Sequence, residues 1–257
     1  MSTITQIDAY QKEEFTSTLR NGKIVTNDVY TQGTGSKVVI LIQELPGIGQ
    51  ETLALADRFV HEGYTVVLPH LFGKIGKTAT RINALKVLFC MRRQFKNLAK
   101  NESSPIVDFL SDLCTATKEK HQVQGVAVIG MCITGNFAIS LMANEAVLAG
   151  FASQPSLPYK KDGLHMSPEE VTTVKNRLDA IGPMHCARFK GDTTCPASRF
   201  DLYKKTFNSD RERIILHELP GDGHAILTLD FVDEDGHATK EALNDVITYF
   251  DSQLSPN

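Results

Sequence analysis

Short, continuous runs of β-branched and aliphatic residues alternate with segments of helical periodicity, and this alternation restricts the fold more than any other feature of the chain. Val38-Val39-Ile40-Leu41-Ile42, Tyr64-Thr65-Val66-Val67-Leu68 and Val126-Ala127-Val128-Ile129 lack the polar alternation of a strand with one wet face. Such runs suit strands buried on both faces of a parallel sheet. Helical patterns cover residues 51–62, 79–97, 105–119, 136–144, 168–181, 197–206 and 239–251, and further strands are predicted at 147–151, 185–189 and 213–217. Repeated strand–helix alternation implies right-handed crossovers and a mostly parallel, doubly wound α/β sheet. The opening stretch reads as an antiparallel hairpin, residues 15–20 and 23–30 joined by a two-residue Asn21-Gly22 turn, at one edge of that sheet.

At 257 residues the chain is expected to form one domain over residues 1–257. The longest connection not explained by a simple crossover is 72–104, where Leu85, Leu88 and Phe89 form an apolar stripe. It reads as a helix packed on the body, with a lid over a pocket as the sharper alternative. With 27 basic against 30 acidic residues, the whole chain exerts no electrostatic pull toward nucleic acid or anionic membrane. Residues 1–15 lack the apolar core of a signal peptide, and no apolar run approaches the ~20 residues that span a bilayer. The five cysteines, at 90, 114, 132, 186 and 195, are odd in number and irregularly spaced, against both a disulfide framework and a zinc motif. A cytoplasmic protein with reduced thiols is expected.

The segment Val126 to Ala138 carries the chemistry. A buried strand runs into Gly130-Met131-Cys132-Ile133-Thr134-Gly135, with a nucleophilic residue type at the tip of a tight turn that opens a helix. That is the context of a nucleophile elbow. The helix N-terminus favours thiolate, and its first amides can hold an oxyanion. Thr134 stands where such elbows usually carry a second glycine. The competing reading is a buried cysteine in an ordinary strand-to-helix turn.

Two later loops supply an acid and a base. The predicted strand 185–189 leads into Lys190-Gly191-Asp192, and the strand 213–217 leads into Pro220-Gly221-Asp222-Gly223-His224. Cys132, Asp192 and His224 therefore follow the nucleophile–acid–base chain order of α/β-hydrolases. His224 would take the thiol proton and Asp192 would hold the imidazole tautomer. Asp222 is the rival acid, its position suiting a turn better. The histidines at 61, 70, 121, 165, 185, 217 and 237 lack this placement and read as surface or satisfied core residues, and Cys195 as a packing residue.

The chain resembles the dienelactone hydrolase family from about Val38 to the last helix. The resemblance rests on Gln43-Glu44-Leu45-Pro46-Gly47, the stretch Gly63 to Pro69, the cysteine elbow, the Gly191-Asp192 loop and Gly223-His224. It implies an α/β-hydrolase fold, a Glu44 that meets the resting cysteine and accepts its proton, and an oxyanion hole from the N–H groups of Leu45 and Ile133. It also implies an arginine shortly after the histidine to hold a substrate carboxylate, where this chain has Ala225-Ile226-Leu227-Thr228. Arg81, Arg92 and Arg93 are the remaining candidates for that contact. The expected activity is hydrolysis of an ester, lactone or thioester of a small molecule through an acyl-cysteine, with no metal and no organic cofactor. Two alternatives stay open: a ligand-binding protein without turnover on the same fold, and an acyltransferase.

Overall fold

The computed structural model describes residues 4–76, 104–156, 163–164 and 166–255. The helical pattern at 79–97 and the central part of the 72–104 connection, including Arg81, Arg92 and Arg93, fall outside the described residues.

These residues form an eight-stranded sheet in the order β1-β2-β4-β3-β5-β6-β7-β8. The strands are β1 Gln11–Thr18, β2 Ile24–Gln32, β3 Lys37–Ile42, β4 Tyr64–Pro69, β5 Val126–Met131, β6 Val147–Ser153, β7 Met184–Phe189 and β8 Ile214–Leu219. From β4 to β8 all neighbours run parallel, while the β1–β2 and β2–β4 pairs are antiparallel. The continuous apolar runs have the predicted cause, since both faces of the sheet are covered. Val38, Ile40, Ile42, Val126 and Val128 pack into one core. Helices α2 Pro105–His121, α3 Gly135–Leu141, α4 Pro168–Ile181 and α5 Ala197–Phe207 face that side. Val39, Leu41, Ala127 and Ile129 point into the opposite core beneath α1 Gln50–His61 and α6 Ala238–Leu254.

Local signals set the helix starts. Ser104 accepts from the Ile106 amide ahead of Pro105 at the first turn of α2. Ser167 and Glu170 form a reciprocal capping box at α4. The hairpin departs from the two-residue turn expected for Asn21-Gly22. Leu19 N–H donates to Lys23 C=O at 2.9 Å, which closes a three-residue loop of Arg20, Asn21 and Gly22. Only Gly22 takes a positive φ, +79°, so the chain uses a turn with one left-handed residue instead of two. Strand β1 also starts earlier than expected. Gln11 to Glu14 pair with Thr31 to Asp28, and the polar character of that exposed edge hid the strand from an apolar pattern.

The winding reverses between β3 and β5, which is where ligands bind in open α/β sheets. Ile42 pairs with Gly130 across this switch point. Glu44 and Cys132, each two residues further on, thus leave the carboxyl edge of adjacent strands.

Candidate active site

Cys132 sits in the left-handed region at φ +56°, an uncommon conformation for a non-glycine residue and a mark of local backbone strain. The turn is compact because the chain folds back on its own strand. A Cβ placed on Gly130 would lie 2.1 Å from the Thr134 carbonyl oxygen, so only glycine fits there. Thr134, where the pattern led one to expect glycine, ties the elbow down. Its Oγ1 accepts from the Met131 amide at 2.9 Å and lies within donating distance of the carbonyls of Met131, 2.9 Å, and Ile42, 3.2 Å. The hydroxyl so links the ends of β3 and β5 directly under the cysteine.

The side chains of Asp192 and His224, expected from the sequence order as an acid and a base, lie together. His224 Nδ1 and Asp192 Oδ2 are 2.7 Å apart. The second Asp192 oxygen accepts from the amides of Thr194, 2.7 Å, and Cys195, 3.0 Å. Burial works to raise Asp192, but the hydrogen bond and charge of His224, with those two amides, outweigh it and hold the carboxyl below its usual range. Burial likewise works against the imidazolium of His224. The Asp192 hydrogen bond and the nearby Cys132 sulfur overcome it and push His224 up to about 10. Its Nε2 is buried and has no hydrogen-bond partner of good geometry among the described residues. The Cys132 sulfur is nevertheless near enough to favour the protonated imidazole. Asp222 is exposed and takes no part in this pair.

Glu44 is 6% exposed, and burial pushes its carboxyl up from the ordinary range. Thr228 donates to one of its oxygens, and Gln154 Nε2 lies 3.5 Å from the other. His224 is near enough to act on it electrostatically. The described contacts therefore pair Glu44 with Thr228 and Gln154, and the cysteine sulfur instead lies 3.0 Å from Ser156 Oγ. Gln43, the other half of the Gln-Glu pair, is a tie within the fold. It donates to Phe72 C=O at 2.7 Å and accepts from Leu71 N–H at 3.1 Å. The Leu45 amide follows β3 and makes no hydrogen bond among the described residues. The Ile133 amide lies in the first turn after Cys132, where helical N–H groups have no acceptor within the helix.

Four polar residues here carried no sequence signal as site residues: Gln154, Ser156, Thr228 and Asp230. Asp230 Oδ2 accepts from the backbone amides of His224, 2.7 Å, and Ala225, 2.8 Å, and so fixes the loop that carries His224. Cys195 is fully buried, with its thiol pushed up to about 12, chiefly by burial, in keeping with a packing role. His185 and His217 form a half-buried pair, with ring nitrogens 3.2 Å apart and His185 stacked on Tyr249. No helix among the described residues is long and apolar enough to cross a membrane.

A mostly parallel eight-stranded sheet with a strained elbow after β5 and an Asp–His pair after β7 and β8 defines an α/β-hydrolase. The chain belongs to the dienelactone hydrolase family, whose sequence model matches residues 28–254. A Klebsiella pneumoniae protein assigned as a dienelactone hydrolase superposes with a TM-score of 0.66 at 16% identity, over 93% of this chain and 98% of its own. A dienelactone hydrolase-like promiscuous phosphotriesterase from metagenomic libraries gives 0.63 at 12% identity, over 95% and 99%. An esterase of Pyrococcus furiosus gives 0.60 at 13%, over 96% and 93%. At these identities the likeness is one of fold. No curated protein sequence gives a significant match to the chain.

Proposed function

We propose that this protein is a cysteine-dependent hydrolase of a small-molecule ester, lactone or thioester, with Cys132 as nucleophile, His224 as proton carrier and Asp192 as its orienting acid. The observation that carries the reading is the coincidence of a nucleophilic side chain at a left-handed elbow with a half-buried imidazole held 2.7 Å from a carboxylate.

The raised affinity of His224 for a proton suits it to take the one that Cys132 gives up, which forms an imidazolium beside a thiolate. The thiolate attacks the carbonyl carbon, and the tetrahedral oxygen is held by the amides of Leu45 and Ile133. As the C–O bond breaks, His224 passes its proton to the departing alkoxide, leaving acyl-cysteine and neutral imidazole. Acylation removes the sulfur's negative charge, one of the influences that held the proton on His224. The imidazole can then take a proton from water, whose oxygen attacks the acyl carbon, and the thiolate departs. Glu44 contributes a carboxyl held by Thr228 beside His224. No metal or organic cofactor enters this scheme, and the expected compartment is the cytoplasm.

Thr228 lies four residues beyond the histidine, in the stretch where the family resemblance implies an arginine for a substrate carboxylate, and it serves Glu44 instead. That favours an uncharged acyl group. The test is intact-mass analysis after brief exposure to p-nitrophenyl acetate, wild type against Cys132→Ala. The expected result is a transient +acetyl adduct on Cys132 and turnover in wild type alone. Equal turnover by both proteins would overturn the reading, and stoichiometric binding without any adduct would favour a binding protein.

A further inference from the structure

We infer that Ser156 is a further catalytic residue, whose hydroxyl donates to the Cys132 sulfur and stabilises the thiolate both before acylation and as the leaving group of deacylation. The inference rests on the Cys132 nucleophile proposed above and assigns a role outside the Cys–His–Asp set.

Ser156 Oγ lies 3.0 Å from Cys132 Sγ. Ser156 is 4% exposed, and among the described residues its hydroxyl has no other hydrogen-bond partner. A buried hydroxyl left without a partner is costly, and O–H is a much stronger donor than S–H. The proton therefore belongs to the serine, and a sulfur bearing negative charge is its best acceptor. The geometry is also built to hold. Ser156 N–H donates to the Cys132 carbonyl at 3.1 Å. Asn136 Nδ2 donates to the carbonyls of Ser156, 3.0 Å, and Ile133, 3.1 Å. Asn136 is itself fixed through its side-chain oxygen, which accepts from Arg199 and from Tyr203 Oη at 3.2 Å. Both backbone polar groups of Ser156 are thus fastened to the elbow, and its side chain has little freedom to leave the sulfur.

The consequence differs between the two halves of the reaction. In acylation the hydrogen bond raises the share of thiolate but tempers its nucleophilicity, so the two effects partly cancel. In deacylation the tetrahedral intermediate collapses by breaking the C–S bond, with the electron pair passing to sulfur, and the serine hydroxyl receives that developing charge while keeping its own proton. Ser156 should matter most in the second half. The titratable groups that face the sulfur are His224, from the loop after β8, and Cys195, from the loop after β7, and Glu44 and Asp192 act on it through His224.

The experiment compares wild type, Ser156→Ala, Ser156→Thr and Cys132→Ala by iodoacetamide alkylation across pH and by pre-steady-state hydrolysis of p-nitrophenyl acetate with intact-mass detection. For Ser156→Ala the midpoint of Cys132 alkylation should move up by about one pH unit, and deacylation should slow by roughly tenfold, so that acyl-enzyme accumulates. Ser156→Thr, which keeps the hydroxyl, should restore both. A midpoint that stays or falls in Ser156→Ala, with deacylation unchanged while wild type still acylates Cys132, overturns the role of Ser156 alone. Turnover by Cys132→Ala equal to wild type overturns the nucleophile reading, and the serine assignment with it.

Discussion

Thr228 donates its hydroxyl proton to Glu44, 184 residues earlier in the chain, and so joins the loop after β3 to the loop that carries His224. A buried carboxyl loses much of its solvation, and this bond is the foremost influence opposing the rise that burial produces. Thr228→Ala should therefore raise the affinity of Glu44 for a proton further and lower stability by about 1–3 kcal/mol. Thr228→Ser, which keeps the donor, should retain most of both. Urea denaturation and the acid limb of the pH–rate profile would check this, and a Thr228→Ala protein as stable as wild type would count against the contact.

The choice of Asp192 over Asp222 has a kinetic consequence. Asp192→Asn keeps the side chain's shape but removes the charge that favours imidazolium and presents the wrong partner to Nδ1. A loss of about 10³–10⁴ in turnover is expected by analogy with other triads. Asp222 is exposed and outside the pair, and Asp222→Asn should stay within about threefold of wild type. Side-by-side kcat/KM values decide the matter, and comparable losses would reopen the assignment of the acid.

The fold was legible because burial on both faces leaves a direct mark on composition. Strands β3, β4 and β5 could hardly be read otherwise, and Cys132, Asp192 and His224 stood out as candidates because each follows a predicted strand. What stayed hidden depends on contacts between distant loops. Ser156 follows Gln-Pro in a stretch that carries no motif, and it acquires meaning only when β6 lies beside β5 and Asn136 reaches its carbonyl. Thr228 read as a missing arginine, because its partner lies across the sheet. Glu44, expected to meet the cysteine, lies near His224 but is held by Thr228 and Gln154. Edge strand β1 was blurred by its polar exposed residues, and the hairpin loop by the ambiguity of Asn-Gly.

The His224–Asp192 pair predicts an alkaline limb of stability. His224 is raised from 6.5 to about 10, so the stability it contributes is fully present below pH 6.5 and is lost as pH rises through about 10. Asp192 is depressed, so its share is present above pH 3.8 and is lost as the pH falls through its lowered value. The difference in thermal midpoint between wild type and His224→Ala should therefore shrink between pH 7 and pH 10.5. A difference that stayed constant over that range would mean that the charged pair adds nothing to stability.

The left-handed conformation of Cys132 gives a prediction about stability independent of chemistry. At φ +56° an L side chain carries a penalty of about 1–2 kcal/mol that glycine escapes. Against this, glycine adds about 0.5–1 kcal/mol of chain entropy to the unfolded state relative to alanine. Cys132→Gly and Cys132→Ala both remove the sulfur and its contact with Ser156, so those losses cancel in the comparison. The glycine variant should be the more stable of the two by up to about 1.5 kcal/mol, with both inactive. Chemical denaturation of the two proteins at one pH measures the difference. If alanine were the more stable, the elbow would not be strained at the cysteine, and the tight turn would owe its shape to Gly130 and Thr134 alone.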